Sequence, residues 1–279
     1  MARVQLPVSK LKARKRRRRV LALVFALAGA LALAAGAIAL TWAPFLRIQK
    51  LEVAGVSSVN KELVEEQIRK SLSGAYWGVF PRDNIFLYSK AEMRARLLSQ
   101  FPVFASASLS SEGFDGLRVD LVERKPAALW CGEGPELSGS CLTLDESGAA
   151  YTLAADFSGS VYARYTGALP QGPLPRQFLA PEQFRGLAAF VSELSGKLSS
   201  TSISVVAVGG DGDVQVVCEN GFRLVFSLDD NGADVLERFA LALTAGPFAT
   251  HKLSDFEYLD LRFGDKLYYK LKGEEKAEE

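Results

Sequence analysis

The sequence predicts an α+β protein. It has one N-terminal transmembrane helix, a compact unit of two helices on a small sheet, and a mostly β C-terminal domain with an antiparallel sheet and two helices. Three observations predict this class. An uncharged apolar run begins at Val20. Four later segments repeat apolar residues at helical spacing. The remaining apolar segments alternate with polar residues, or form short runs between turn residues, which is typical of strands.

The charges of the chain are polarised along its length. The 279 residues carry 33 Lys and Arg against 32 Asp and Glu, a net charge of +1. Nine of the basic residues and none of the acidic ones precede Val20, so the remaining 260 residues hold 24 basic and 32 acidic residues and a net charge of −8. This distribution is not typical of a cytosolic enzyme. Three cysteines exclude a disulfide-dense scaffold, and a single histidine excludes sites with several histidine ligands.

The apolar run predicts a membrane anchor. Val20 to Leu40 holds no charge and no proline, and a helix over it would measure about 32 Å, which matches a hydrocarbon core of about 30 Å. Trp42 follows where an interfacial aromatic residue is expected. The basic residues before the run place the N-terminus in the cytoplasm by the positive-inside rule. We therefore predict a cytoplasmic tail over 1–19, a helix in the lipid bilayer over 20–42, and extracytoplasmic domains.

Two alternatives compete with this anchor. Ala37-Ile38-Ala39 resembles a signal-peptide cleavage site, although a cleavable apolar core usually has only about 7–15 residues. The basic arm could also bind nucleic acid. Topology and attraction to anionic lipids explain the arm more simply, so we favour a retained anchor and expect no nucleic-acid partner.

Residues 47–125 predict a compact unit with the order strand, helix, helix, strand, strand. Asn60 caps the first helix, and Ser89 to Glu92 form a capping box that opens the second. The first helix carries one apolar stripe, formed by Leu63, Val64, Ile68 and Leu72. The unit ends in a predicted hairpin of residues 103–110 and 117–123.

Residues 126–272 predict the mostly β domain, and 273–279 a disordered acidic tail. Two helices interrupt the strands, one beginning at Pro181 and one covering 233–244. Asn220-Gly221 is a strong signal for a two-residue hairpin. The predicted strands are 142–144, 150–153, 205–208, 214–218, 222–228, 256–262 and 266–272.

Few residues of the chain suit catalysis. Asp260 and Arg262 share one face of a strand and can pair with each other or hold a neighbouring segment. Asp229-Asp230 is typical of helix capping. Gly209 to Gly212 lacks the lysine and helix of a phosphate loop, and no nucleophile is tied to His251. We expect no enzymatic activity, no metal and no cofactor.

The cysteines predict one covalent link. Cys131 and Cys141 lie ten positions apart and flank a loop, in a compartment that permits disulfides. A bridge there would contribute about 2–3 kcal/mol, and the alternative is two free thiols. Cys218 ends an apolar strand and reads as a buried small hydrophobic residue.

Several short segments carry a resemblance to one family. Residues 51–56 read LEVAGV, residues 101–103 read FPV, and residues 122–127 read VERKPA. A turn of the form D-x-x-G follows in LDESG, and residues 258–263 read YLDLRF. In this order, behind a basic tail and a single span, the segments resemble the FtsQ/DivIB family of bacterial cell-division proteins. The unit over 47–125 resembles that family's POTRA domain.

The resemblance implies a non-enzymatic scaffold of the divisome, located in the cytoplasmic membrane at the division septum. Its partners would be FtsB-like and FtsL-like bitopic proteins and other divisome components, and it would link early division proteins to septal peptidoglycan synthesis. The partner-binding positions that the resemblance implies are Arg262, Phe263, Gly264, Lys266, Tyr268 and Tyr269.

Two further functions remain as alternatives. A membrane-anchored POTRA chaperone or secretion component could bind peptides by strand addition, although the large families of that kind carry their own barrel. A membrane-anchored hydrolase would have to depend on His251.

Overall fold

The structure, a computed structural model, describes residues 10–133, 140–155, 161–198, 200–244, 246–264 and 266–273. The expectations for residues 1–9, Asp265 and 274–279 lie outside the described residues. The chain is α+β, with one N-terminal apolar helix and a mostly β C-terminal region, as predicted. It divides into two compact units. The first comprises Met1–Leu97 and Ser106–Val122, and the second comprises Leu98–Ala105 and Glu123–Glu279.

Helix α1 covers Lys10–Thr41 and begins ten residues before the predicted span. The basic residues Arg14 to Arg19 therefore lie on its first turns. In the described part of the chain it is the one helix long and apolar enough to cross a membrane. Its large apolar side chains, such as Phe25 and Leu33, are exposed along its length.

The region from β1 to β5, which forms most of the first unit, has the predicted order of helices and strands, with one additional short hairpin, β2–β3. Its elements are β1 Lys50–Ala54, α2 Lys61–Leu72, β2 Ala75–Tyr76, β3 Phe80–Pro81, α3 Lys90–Gln100, β4 Phe104–Glu112 and β5 Gly116–Glu123. The main sheet has the order β1-β5-β4, and β1 pairs with β5 in parallel.

The predicted caps of the first unit are present. Asn60 Oδ1 accepts a hydrogen bond from Glu62 N at 2.8 Å, and Ser89 Oγ accepts one from Glu92 N at 3.2 Å. The apolar stripe of α2 is buried at Val64 and at the positions four and eight residues later. Leu63 is exposed, so the predicted stripe was wrong there. One residue rotates an α-helix by about 100°, which turns Leu63 toward solvent.

The second unit holds the larger sheet. Its elements are β6 Ala128–Trp130, β7 Leu142–Leu144, β8 Ala149–Leu153, β9 Arg164–Gly167, β10 Arg176–Gln177, α4 Pro181–Lys197, β11 Ile203–Val208, β12 Asp213–Cys218, β13 Arg223–Ser227, α5 Gly232–Thr244, β14 Phe256–Phe263 and β15 Lys266–Leu271. The strand order is β10-β8-β7-β6-β9-β11-β12-β13-β14-β15.

This sheet is mixed, whereas the sequence predicted an antiparallel one. The pairs β6–β9, β9–β11 and β13–β14 are parallel. Parallel neighbours need a crossover connection, and two of these pairs have one that contains a helix. Helix α4 lies in the connection from β9 to β11, and α5 lies in the connection from β13 to β14.

Both helices pack on one face of the sheet. Phe184 and Leu194 of α4 and Phe239 of α5 join one buried cluster with alternate residues of the strands, such as Val216 and Leu259. The strand residues that alternate with these buried ones point to the opposite face of the sheet, which we call the open face. Strand pairing aligns one row of its residues across six strands: Thr166, Ala207, Gln215, Val225, Asp260 and Tyr268.

Candidate functional site

The hairpin β14–β15 forms one end of the ten-stranded sheet. Asp260 pairs with Tyr268, and Phe263 pairs with Lys266 across a two-residue loop. Gly264, the first loop residue, has φ +63°, a conformation that favours glycine. In the part of the chain that the structure describes, no strand pairs with the outer side of β15. Its outward backbone groups are therefore a template for a further strand.

Two aromatic side chains lie together on this hairpin. The rings of Phe263 and Tyr268 meet edge to face with centroids 5.0 Å apart. Both rings are about half exposed, 53% for Phe263 and 49% for Tyr268. The guanidinium of Arg262 lies 5.5 Å from the centre of the Phe263 ring. Together they make an exposed aromatic surface with a defined side-chain arrangement.

Arg262 is the centre of an ion network on the open face. Its Nε and Nη2 donate to both carboxylate oxygens of Asp260, with the shortest contact at 2.6 Å. Its Nη1 donates to Asp213 of β12, so the side chain reaches across β13. The planar guanidinium suits such bidentate pairing. Arg262 therefore ties the edge hairpin to a strand two positions further into the sheet.

The charge of Asp260 is fixed by this network. Asp260 is only 7% exposed, and burial by itself would raise the pKa of its carboxyl group. Hydrogen bonds from the side chain and the backbone N–H of Arg262 outweigh burial, so the pKa lies below its usual value. The carboxylate in turn raises the pKa of Arg262. The pair stays ionised near neutral pH.

A second ion network is centred on Glu257 of β14. Glu257 Oε1 accepts from Arg223 at 2.7 Å, and its Oε2 contacts Lys270 Nζ at 2.8 Å. The hydrogen bond from Lys270 is the main cause of the lowered pKa of Glu257, and it raises the pKa of Lys270. The network links β13, β14 and β15 and holds the edge strand by its side chains as well as by its backbone.

Helix α5 supports the hairpin from the opposite face. Arg238 Nη1 donates to the backbone oxygens of Leu261 at 2.8 Å and Gly264 at 3.2 Å, and Nη2 donates to Asp230 at 3.2 Å. The pairing of β14 with β15 is irregular between Asp260 and Phe263, next to the carbonyls that Arg238 binds. The helix therefore fixes the bulged end of the hairpin.

The six predicted partner-binding residues all lie on this hairpin, but on different sides of it. The side chains of Arg262 and Tyr268 lie on the open face, while Gly264 occupies the turn. Tyr269 points to the other face, where the centre of its ring lies 5.6 Å from that of Phe248 and 5.9 Å from that of Phe256. Tyr269 therefore packs in part against the core. Lys266 and Phe263, the remaining two, pair across the turn and are exposed.

Sequence reasoning missed most of the residues that support the hairpin. Asp213, Arg223 and Glu257 lie on three different strands, and Arg238 lies on a helix. Their role follows from strand order, which no local motif specifies. The D-L-R spacing did signal the pairing of Asp260 with Arg262, because residues two apart on a strand share a face.

A second buried ion pair lies where three of the family-like segments meet. Arg124 of the VERKPA segment pairs with Asp145 of the D-x-x-G turn, and both side chains are largely buried. Arg124 Nε also donates to Pro102 O, and Arg124 N donates to Val103 O at 2.7 Å. Burial would raise the pKa of Asp145, but hydrogen bonds from Ser147, Ala149 and Arg124 hold it below its usual value. These segments are therefore joined to each other in the second unit.

The other groups considered for chemistry have structural surroundings. His251 Nδ1 lies 3.0 Å from Thr250 Oγ1 and 3.0 Å from Pro247 O. The Asp230 carboxylate accepts hydrogen bonds from Ser227 N and Arg238. Gly209 to Gly212 form the turn between β11 and β12. Among the described residues, no group of three His, Cys, Asp or Glu side chains could hold a metal ion.

Two of the three cysteines are bonded to each other and the third is free. Cys131 and Cys141 are joined by a disulfide bond, and Cys218 is a buried free thiol. Burial raises the pKa of the Cys218 thiol to about 11. Mass spectrometry with and without reductant tests the bond: two free thiols in the native protein would contradict it.

No protein-family model matches the chain, and no curated protein matches it. The likeness to the FtsQ/DivIB family therefore depends on the sequence segments alone.

Proposed function

We propose that the chain is a bitopic scaffold of the bacterial cell-division machinery, similar in role to FtsQ, and that hairpin β14–β15 binds an FtsB-like partner. The observation that carries this proposal is the exposed aromatic edge strand at the end of the large sheet, in a chain with one apolar helix at its N-terminus. In this proposal α1 spans the cytoplasmic membrane once, and the chain from residue 47 onward lies outside the cytoplasm.

Strand addition accounts for the way the partner would bind. An extended segment of the partner pairs with the outer backbone groups of β15, while Phe263 and Tyr268 supply apolar contact. Backbone pairing alone gives little discrimination between partners, so the side chains next to the strand provide it. The aromatic surface suits this role, because aromatic residues are enriched in binding hot spots.

The ion networks favour binding by keeping the edge strand ordered before the partner arrives. Arg262 and Glu257 fix the side chains on the open face, and Arg238 fixes the turn. A surface that is already ordered loses less conformational entropy on association. The proposed site therefore needs these networks although its partner would touch the aromatic residues.

Depletion in dividing cells tests the division role. A fluorescent fusion of the full chain should gather at the septum, and cells depleted of the protein should grow as filaments. A fusion without its basic N-terminal residues should lose the orientation of the anchor, because positive charge sets topology. A diffuse envelope signal with normal division would contradict the proposal.

A C-terminal truncation tests the proposed site. Deleting residues 264–279 removes β15, so it should abolish co-purification with the FtsB-like partner and leave membrane insertion intact. Removing β15 also uncovers Phe256, which is buried, so Tyr268→Ser is the matched point variant that keeps the strand. Normal capture of the partner by the truncated chain would contradict the assignment of the site.

The chaperone alternative has one supporting observation in the first unit. Strand β4 lies at the edge of the three-stranded sheet, and its last three residues, 110–112, are exposed. An edge strand of this kind can accept an extended peptide. Peptide capture that survives deletion of 264–279 and is lost on changing β4 would favour this alternative.

A further inference from the structure

The C-terminal end of α1 is hydrogen-bonded to a loop of its own unit. Asn84 Nδ2 donates to the carbonyl of Thr41 at 2.8 Å, and Trp42 Nε1 donates to the carbonyl of Val79 at 2.8 Å. Asn84 is 1% exposed, so the first of these bonds is shielded from water. The last carbonyls of a helix lack partners within the helix, and Asn84 supplies one here. The segment containing the β2–β3 hairpin is therefore fixed at the end of α1.

The turn of this hairpin has an unusual backbone. Val79 N donates to Tyr76 O at 3.0 Å, and the two residues between them have positive φ, +51° at Trp77 and +72° at Gly78. This is the pattern of a type I′ turn, which prefers Asn-Gly. Trp77 is the one non-glycine residue at positive φ in the part of the chain that the structure describes. A left-handed conformation costs an L-residue roughly 1–2 kcal/mol.

Contacts within the protein do not offset this strain. The Trp77 side chain is 90% exposed, and its nearest ring neighbour is the edge of Phe80, with centroids 6.4 Å apart. A strained, exposed aromatic residue points to a role outside the folding of the unit. Three further apolar side chains are exposed on the same hairpin or at the end of α1. We call the four residues the apolar collar: Trp42, Phe45, Trp77 and Val79.

We propose that the apolar collar inserts into the membrane–water interface at the C-terminal end of α1, and that Trp77 anchors the first unit to the lipid surface there. The inference rests on the membrane span in the proposed function and is independent of the division role. Tryptophan favours the headgroup region, where its ring is in an apolar environment and its N–H finds a partner.

Two observations place the collar at that depth. Trp42 directly follows α1 and is hydrogen-bonded to the hairpin that carries Trp77. The chain has no charged residue from Val20 to Leu46, and the first one, Arg47, pairs with Asp83 at 2.6 Å just beyond the hairpin. The boundary between apolar and charged groups therefore lies at the same point on α1 and on the hairpin.

As a consequence, the orientation of the first unit relative to the bilayer surface is fixed. A single helix with a flexible exit would let the unit rotate freely above the bilayer. Here the unit contacts lipid at α1 and again at Trp77, on a hairpin that accepts a hydrogen bond from Trp42. Asn84, in the loop that follows the hairpin, makes a second hydrogen bond to the helix end. The lipid contact also explains why a turn that favours asparagine contains tryptophan.

Fluorescence of the full chain in lipid vesicles tests the proposal. The wild type and Trp77→Asn are reconstituted in phosphatidylcholine–phosphatidylglycerol vesicles, and the difference between their emission spectra reports Trp77 alone. Asparagine keeps the turn, because it tolerates the left-handed conformation. We expect the Trp77 component to be quenched more than twofold by lipids brominated near the headgroup and to be largely protected from acrylamide in the water.

A second tryptophan position provides the control. Leu63 is an exposed apolar residue of the same unit on α2, so Leu63→Trp in the Trp77→Asn protein should respond to acrylamide and not to brominated lipid. Acrylamide quenching of Trp77 without quenching by brominated lipid would overturn the proposal. Equal lipid quenching at both positions would also overturn it, since it would mean general adsorption of the unit. Failure of the protein to float with the vesicles would contradict the span itself, whereas normal partner capture by Trp77→Asn would leave the division role intact.

Discussion

The hairpins β14–β15 and β2–β3 both expose aromatic side chains, and their turns are built in opposite ways. In β14–β15 the turn has positive φ at Gly264, and the aromatic residues Phe263 and Tyr268 lie beside it on extended backbone. In β2–β3 the aromatic residue Trp77 itself occupies the positive-φ position. At its described positions the first hairpin places the positive φ on a glycine, whereas the second also places one on a tryptophan.

The supports of the two hairpins differ as well. Ion networks centred on Arg262 and Glu257 and hydrogen bonds from Arg238 hold β14–β15. The β2–β3 hairpin accepts a hydrogen bond from Trp42 at the carbonyl of Val79, and Asn84, just after the hairpin, donates one to the end of α1. Charged networks suit a surface that stays in water until a protein partner covers it. Neutral hydrogen bonds and apolar rings suit a surface at a lipid interface, where charge is costly.

The largest expected effect comes from removing the centre of the first network. Arg262→Ala should lower the free energy of unfolding by about 2 kcal/mol, because it leaves the buried Asp260 carboxylate without its main partner. The free energy of unfolding of Arg262→Lys should lie between those of the wild type and the alanine variant, since lysine keeps the charge but lacks the planar guanidinium. Chemical denaturation of the full chain measures both. Equal stability of the wild type and the alanine variant would show that the network does not support the hairpin.

A matched pair of turn variants compares the hairpins directly. Gly264→Ala should cost about 1 kcal/mol, because φ is +63° and an added Cβ meets nothing within 4 Å, so backbone strain is the whole effect. Trp77→Asn should leave stability unchanged or raise it by about 0.5 kcal/mol, since strain is relieved and little contact is lost. Thermal unfolding in detergent gives both values. A large loss for Trp77→Asn would mean that the ring packs within the protein.

The smallest and most gradual effect should appear in acid. The pKa of Asp260 in the folded protein lies below the usual value of about 4, so its stabilising contribution is complete above that value. It is lost as the pH falls below about 4 toward the lowered pKa of the folded state. Asp260→Asn should flatten this part of the stability profile relative to the wild type. If stability falls equally steeply with decreasing pH in both proteins, the lowered pKa of Asp260 is not the cause of the loss.

Local signals predicted the helices and turns well. Asn60 and Ser89 cap α2 and α3, Pro181 begins α4, and Asn220-Gly221 lies in the turn from β12 to β13. The predicted two-residue hairpin there was wrong, because the strand register leaves three residues, 219–221, in the loop. In each case the signal and the structure lie within a few residues of each other. The predicted alternation also placed Asp260 and Arg262 on one face.

Long-range order was not predictable in this way. The parallel pairing of β13 with β14 depends on where the chain returns after α5, and the reach of Arg262 to Asp213 depends on that strand order. The Trp77 turn was missed for a different reason. Its residues, Tyr-Trp-Gly-Val, lack the Asn-Gly signal because the first position holds a strained residue.

The most direct test of the proposed binding site is photo-crosslinking in dividing cells. A photoreactive amino acid replaces Tyr268 on the edge hairpin, and in a second strain it replaces Leu153, an exposed apolar residue at the end of β8 in the same sheet. We expect a covalent adduct with the FtsB-like partner from position 268 and none from position 153. An adduct from position 153 alone, or no adduct from position 268 in cells that divide normally, would contradict it.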